Sequence, residues 1–225
     1  MKLANLMRDS VMIPALTAYA WLCRSIGKYQ RPRRYNALYA IADEIRPHRI
    51  MEIGTWIGER AERMIQTAQK YYPPQEIEYY GFDLFETMEA KKFAVEMSKQ
   101  PPSQEEVEER LSKTGVRVHL YKGDTIEILP RVTEKLPNMD LIFIDGGHSI
   151  ETIANDWKYA SRLMGPQTVV VFDDYWPDRL DAGAKPIVDA IDREHYDVRL
   201  LPTVDVFLNS HFGRLVIQFA AVGKK

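Results

Sequence analysis

Leu141-Ile142-Phe143-Ile144-Asp145-Gly146-Gly147-His148 and Val169-Val170-Val171-Phe172-Asp173-Asp174-Tyr175 are two buried-looking apolar runs, and each ends abruptly in acid. A core strand has no reason to finish on carboxylates unless they face something positive. In an open parallel sheet, ligands sit just beyond the carboxyl ends of the strands. Asp145, Asp173 and Asp174, with His148 three residues after the first, therefore read as a divalent-cation site, Mg²⁺ or Ca²⁺, with a base beside it.

Outward from these runs, apolar strands alternate with helical periods. Arg49 to Ile53 is the first strand, followed by a helix from Glu59 to Tyr72 that Pro73-Pro74 ends. Ile77 to Leu84 is the second strand. Thr87 to Gln100 and Ser103 to Thr114 are charge-dense helical segments split by Pro101-Pro102. Val116 to Tyr121 and Met139 to Ile144 are the third and fourth strands. Ser149 then caps a helix whose apolar stripe is Ile150, Ile153, Trp157, Ala160 and Met164. Thr168 to Phe172 is the fifth strand and Pro186 to His195 a short helix. Val198 to Leu208 and Arg214 to Val222 lie close enough to form an antiparallel hairpin. The expected fold is α/β: a Rossmann-like, doubly wound, mostly parallel seven-stranded sheet with an antiparallel C-terminal hairpin.

The 225 residues suit one such domain, with 1–35 as an N-terminal helical extension and 36–225 as the domain proper. A net charge of −2 gives no field that favours nucleic acid, and the single Cys23 excludes an internal disulfide framework and a cysteine zinc site. Val11 to Cys23 is uncharged but shorter than the roughly 20 residues of a membrane span. It reads as a helix lying on the domain or in a homodimer interface of a cytoplasmic protein. Arg24, Lys28, Arg31, Arg33 and Arg34 downstream read as a solvated basic linker.

After the first strand comes Glu52-Ile53-Gly54-Thr55-Trp56-Ile57-Gly58. Its glycines permit a tight turn at a helix start, but the third glycine of a dinucleotide fingerprint is missing. Glu52 would repel a phosphate and suit a cationic ligand. Asp83 ends the second strand, where an acid can accept from both ribose hydroxyls. Gly123-Asp124 follows the third, where a carboxylate can take an adenine amino group. Any one of these acids alone is as readily a cap or turn residue; their recurrence at successive strand ends points to a nucleoside site.

This ordered set resembles the class I S-adenosylmethionine-dependent methyltransferases over Arg49 to Tyr175. The resemblance implies that Glu52, Gly54, Thr55 and Gly58 surround the amino-acid part of S-adenosylmethionine, that Asp83 holds the ribose, and that Gly123 and Asp124 lie at the adenine. Asp145 would lie against the cofactor and the metal together. Within the class, the chain is similar to cation-dependent O-methyltransferases of the catechol and caffeoyl-CoA type and to macrocin-type sugar O-methyltransferases. The catechol type ends its fifth strand in Asp-Asn; here the pair is Asp173-Asp174, as the sugar-modifying relatives tend to have. His148 stands where catechol-type relatives place a lysine base.

The function this implies is methyl transfer to a hydroxyl of a small acceptor, such as a sugar or glycosylated metabolite, with Asp145 and His148 as catalytic groups. Two alternatives stay open: a metal-independent methyltransferase with His148 as sole base, and a non-catalytic S-adenosylmethionine-binding protein. Tyr175 and Trp176 either wall the acceptor pocket or pack beneath the next loop.

Overall fold

The computed structural model describes residues 32–87, 101–209 and 213–225. The expected helices at 11–23 and 87–100 lie outside these residues, wholly in the first case and almost wholly in the second. So does the homodimer contact assigned to the first of them.

The strands are β1 (Arg49–Ile53), β2 (Glu78–Asp83), β3 (Arg117–Lys122), β4 (Met139–Ile144), β5 (Met164–Tyr175), β6 (Tyr196–Asn209) and β7 (Gly213–Lys224). They form a seven-stranded sheet in the order β3-β2-β1-β4-β5-β7-β6. The first five pair in parallel, and β7 joins β5 and β6 antiparallel. Strand order reverses between β1 and β4, so the sheet splays open at their carboxyl ends.

Successive residues of a strand face opposite sides, and both sides here are covered. Ile50, Tyr79, Leu141, Phe143 and Val171 pack on one face. They meet Leu38 and Ile41 of α1 (Tyr35–Ile45), Met64 and Ile65 of α2 (Glu59–Ala68), and Val107 and Leu111 of α3 (Gln104–Ser112). Met51, Tyr80, Ile142, Val170 and Phe172 pack on the other face. There they meet Leu129 of α4 (Thr125–Val132), Ile153 and Ala160 of α5 (Ile150–Ala160), and Val188 of α6 (Lys185–Asp189).

Four local features depart from the expectations. Helix α1 was not anticipated; its buried Tyr35, Leu38, Ile41 and Ala42 make one helical stripe. Helix α4 runs through Pro130, which costs it one backbone bond. Strand β5 continues past Phe172 to Tyr175. Its register against β7 shifts between Phe172 and Tyr175, and Asp174 has φ 55°. An irregularity of this kind re-aims side chains, and here it lies at the two acids. Met164, expected on the α5 stripe, instead opens β5.

Candidate active site

The carboxyl ends of β1, β2, β4 and β5 converge on a cavity of about 260 Å³. Its lining runs from Asp83, Gly123 and Asp124 at one end to Asp145, His148, Asp173 and Asp174 at the other, with Gly54, Thr55 and Trp56 between. Arg34, Tyr35 and Arg60 line it as well. Of the residues read as cofactor-binding, Glu52 and Gly58 are not among the lining. Glu52 is fully buried on β1 and accepts from Tyr79 Oη. Gly58 caps α2 and faces Val107 and Leu111.

The turn after β1 needs glycine at one position. Gly54 has φ 92°, and a Cβ there would lie 2.0 Å from the Asp145 carbonyl oxygen. This close approach ties the β1 turn to the end of β4, aided by the Asp145 amide donating to Ile53 O at 2.8 Å. Asp83 accepts from the amides of Trp56 (2.7 Å) and Phe85 (3.0 Å). Burial raises its pKa, against the pull of those amides. Asp124 caps α4 by accepting from the Ile126 amide at 3.0 Å, so its cap role and its place at the cavity coexist.

Asp145, Asp173 and Asp174 come together as the strand ends required, with one oxygen from each within 4.8 Å of the others. Their oxygens are already engaged. Asp174 Oδ2 lies 3.0 Å from His148 Nε2, and its Oδ1 accepts from Trp176 Nε1 at 3.1 Å. Trp176 is buried, stacks beside His148 and is not among the cavity's lining, so of the two sequence alternatives it takes the packing one. Tyr175 bonds Asp189 on α6 and does not line the cavity.

Asp173 takes a two-pronged contact from Arg34, Nε at 2.8 Å and Nη2 at 2.7 Å. This corrects the reading of Arg34 as part of a solvated linker. It is 6% exposed and ends a chain of contacts that no short-range pattern contains. Asp205 on β6 accepts from the backbone amides of Arg33 and Arg34 at 3.0 Å each, and from Arg34 Nη1 at 3.3 Å. Asp205 thus caps the start of α1 from across the sheet. Tyr35 Oη lies 3.0 Å from Asp173 Oδ2 and 3.4 Å from Asp145 Oδ2, and the Arg60 guanidinium sits over the Tyr35 ring.

The charges sort into pairs. Burial, then the neighbouring Asp173 and Asp174 charges, push the Asp145 carboxyl well above the usual range, which favours its neutral form. Burial opposes ionisation of Asp174 too, but His148, Arg34 and Trp176 outweigh it and hold its pKa low. Burial likewise opposes the Arg34 charge, and Asp173 keeps it ionised.

These donors fit a divalent metal poorly. Such an ion takes carboxylate oxygens at about 2.0–2.6 Å. Here both Asp173 oxygens accept from a guanidinium, and each Asp174 oxygen faces a ring nitrogen. Asp145 Oδ2 is met by Tyr35 Oη at 3.4 Å, and its carboxyl also bonds Asp173.

A Rossmann-like sheet with acids at successive strand ends, opening on one cavity, defines the class I methyltransferase architecture. Residues 51–175 match the Methyltransferase domain family, and the chain belongs to it. Solved structures agree in fold. The O-methyltransferase TomG of Streptomyces achromogenes, in complex with SAM, has TM-score 0.57 at 20% identity over 86% of this chain and 81% of that one. The O-methyltransferase from Bacillus cereus, in complex with SAH, has TM-score 0.58 at 16% identity over 87% and 82%. The SAH-bound Podospora anserina methyltransferase PaMTH1 has TM-score 0.56 at 17% identity over 100% and 97%. A curated relative, the uncharacterized protein R132 of Acanthamoeba polyphaga mimivirus, is 29% identical over 94 residues, 37% of this chain. The match spans 42% of that relative's length. Among the described residues, no helix is long and apolar enough to cross a membrane.

Proposed function

We propose that the protein transfers a methyl group from S-adenosylmethionine to a hydroxyl oxygen of a small acceptor, with His148 taking the proton. The observation that supports this reading most is the single cavity that joins Asp83 and Asp124 to the His148–Asp174 pair. Asp83 and Asp124 mark the nucleoside end, and the acidic lining suits a sulfonium cation better than a phosphate. Asp83 keeps spare acceptor capacity for ribose hydroxyls, because each carboxylate oxygen has a second lone pair.

Bound S-adenosylmethionine supplies an electrophilic methyl group: its S–C bond breaks as the acceptor O–C bond forms, and the sulfur leaves neutral with the electron pair. The acceptor proton must go elsewhere. Donation of Nε2–H to Asp174 assigns the acceptor proton to Nδ1 in this proposal. Asp174 fixes that tautomer and stabilises the imidazolium that results. No step runs through a metal. The acceptor class favoured is a hydroxylated small molecule such as a sugar or glycosylated metabolite, in keeping with the Asp173-Asp174 pair.

The test is calorimetry with S-adenosylmethionine and S-adenosylhomocysteine, followed by an acceptor screen read as S-adenosylhomocysteine release. Binding of both with turnover on a hydroxylated acceptor supports the proposal. Binding without turnover on any acceptor favours a non-catalytic binding protein, and absence of binding removes the reading altogether.

A further inference from the structure

We propose that the guanidinium of Arg34 is the resident cation of the acidic cluster, standing in for a divalent ion and excluding one. The cluster has the spacing of a cation site, one oxygen from each of Asp145, Asp173 and Asp174 within 4.8 Å of the others. The charge that answers it is already part of the chain. Nε and Nη2 of Arg34 meet the two oxygens of Asp173 at 2.8 and 2.7 Å, the planar fork that arginine alone makes to a carboxylate. A metal ion taking an Asp173 oxygen would sit against that fixed positive charge, at side chains that are themselves largely buried, where like charges repel.

Arg34 is built to stay. Asp205 binds Nη1 and also takes the backbone amides of Arg33 and Arg34, so side chain and main chain share one anchor. Nη2 donates a further bond to Tyr35 Oη at 3.2 Å. The rings of Tyr35, Phe207 and Phe219 lie 4.6, 5.5 and 5.5 Å from the guanidinium carbon. A cation held by two carboxylates on different strands, and walled by three rings, does not swing aside as a surface side chain does. The arrangement therefore gives the acceptor end of the cavity a fixed positive charge, of the kind that stabilises a developing alkoxide, without ion binding.

The experiment uses Mn²⁺ as the probe on the full chain, followed by electron paramagnetic resonance and calorimetry. The wild-type protein should show no saturable binding at the cluster. Arg34→Ala leaves three carboxylates without their cation. It should take up Mn²⁺ at least about tenfold more tightly than wild type, and lose that gain when combined with Asp145→Asn. Guanidinium ion should raise the melting temperature of Arg34→Ala, potassium ion should not, and neither should move the wild type. Arg34→Lys keeps a positive charge and should still exclude Mn²⁺. Saturable Mn²⁺ binding to wild type that Asp145→Asn abolishes would overturn the proposal. So would an Arg34→Ala protein that gains neither Mn²⁺ affinity nor guanidinium response. Should Arg34→Ala not fold, the wild-type and Arg34→Lys titrations decide alone. These readouts are of ion binding and stability, so they stand apart from whether methyl transfer is found.

Discussion

His148 Nε2 meets Asp174 Oδ2 at 3.0 Å, across the gap between the loop after β4 and the end of β5. The contact depends on the backbone of Asp174, whose φ of 55° turns its carboxylate toward the histidine and away from the regular strand direction. A non-glycine residue in that region carries strain of order 1–2 kcal/mol, and its side chain is held here by His148 and Trp176. The pair is thus an assembled unit, and in the proposed reaction Asp174 orients while His148 exchanges the proton.

His148→Ala should lower turnover by about 10²–10⁴-fold, the range for losing a general base, while leaving S-adenosylhomocysteine affinity nearly unchanged. Asp174→Asn should act in the same direction, because it removes the charge that stabilises the imidazolium. Initial rates and calorimetry on the same preparations check this. A His148→Ala protein with full turnover would remove histidine from the proton-transfer role.

Asp83→Ala should weaken S-adenosylhomocysteine by about 1–3 kcal/mol, the order for losing bonds to a charged group. The geometry adds a second expectation. Asp83 also holds the amides of Trp56 and Phe85, so the variant should melt at a lower temperature even without ligand. Calorimetry and thermal melting measure the two effects separately. Unchanged binding with lowered melting would make Asp83 a loop-ordering residue only.

Gly54→Ala should be among the most damaging single substitutions in the chain. The new Cβ would meet backbone atoms of Asp145 at 2.0 and 2.5 Å, and backbone has no rotamer with which to yield. A loss of about 3 kcal/mol or more is expected, with loss of ligand binding. Gly213→Ala is the control. Gly213 has φ 71° but nothing within 4 Å of the added atom, so only the left-handed backbone cost of about 1–2 kcal/mol applies. Chemical denaturation of both variants gives the comparison; equal losses would show that conformation, not the close approach, decides.

The centre of the parallel sheet was readable because β4 and β5 carry continuous apolar runs, as strands buried on both faces do, and because these two runs stop at acids. The bounds of β4 follow from that rule, and β1 ends where Gly54 opens the turn. Helix α4 was hidden by Pro130, which by itself argues against a helix. Strand β5 runs three residues beyond Phe172, since an irregular register lets acids stay within a strand. Arg34 is the site residue that the sequence hides, and the reason is distance. Its partners Asp173 and Asp205 lie 139 and 171 residues away, so nothing local separates it from a solvated arginine. The helical stripe Tyr35, Leu38, Ile41 and Ala42 was the one signal that this stretch belongs to the core.

Glu52 gives the stability curve a predictable pH dependence. It is fully buried, it accepts from Tyr79 Oη, and its Oε1 has no hydrogen-bond partner among the described residues. Burial pushes its pKa from 4.5 to about 8, with Tyr79 and Arg60 pulling the other way and Asp83 adding to the rise. The unfolded chain releases this proton near 4.5, whereas the folded protein holds it until about 8. Below 4.5 both states are protonated and Glu52 costs nothing. As pH rises between those values the unfolded state gains, so stability falls by up to about 1.4 kcal/mol per pH unit, then levels off. Glu52→Gln keeps the shape and an acceptor for Tyr79 while removing the titration. Urea unfolding of both proteins across this range should give curves that diverge, with the variant gaining on wild type as pH rises. Parallel curves would mean that Glu52 is ionised in the folded protein, and that a compensating charge lies closer to it than Arg60.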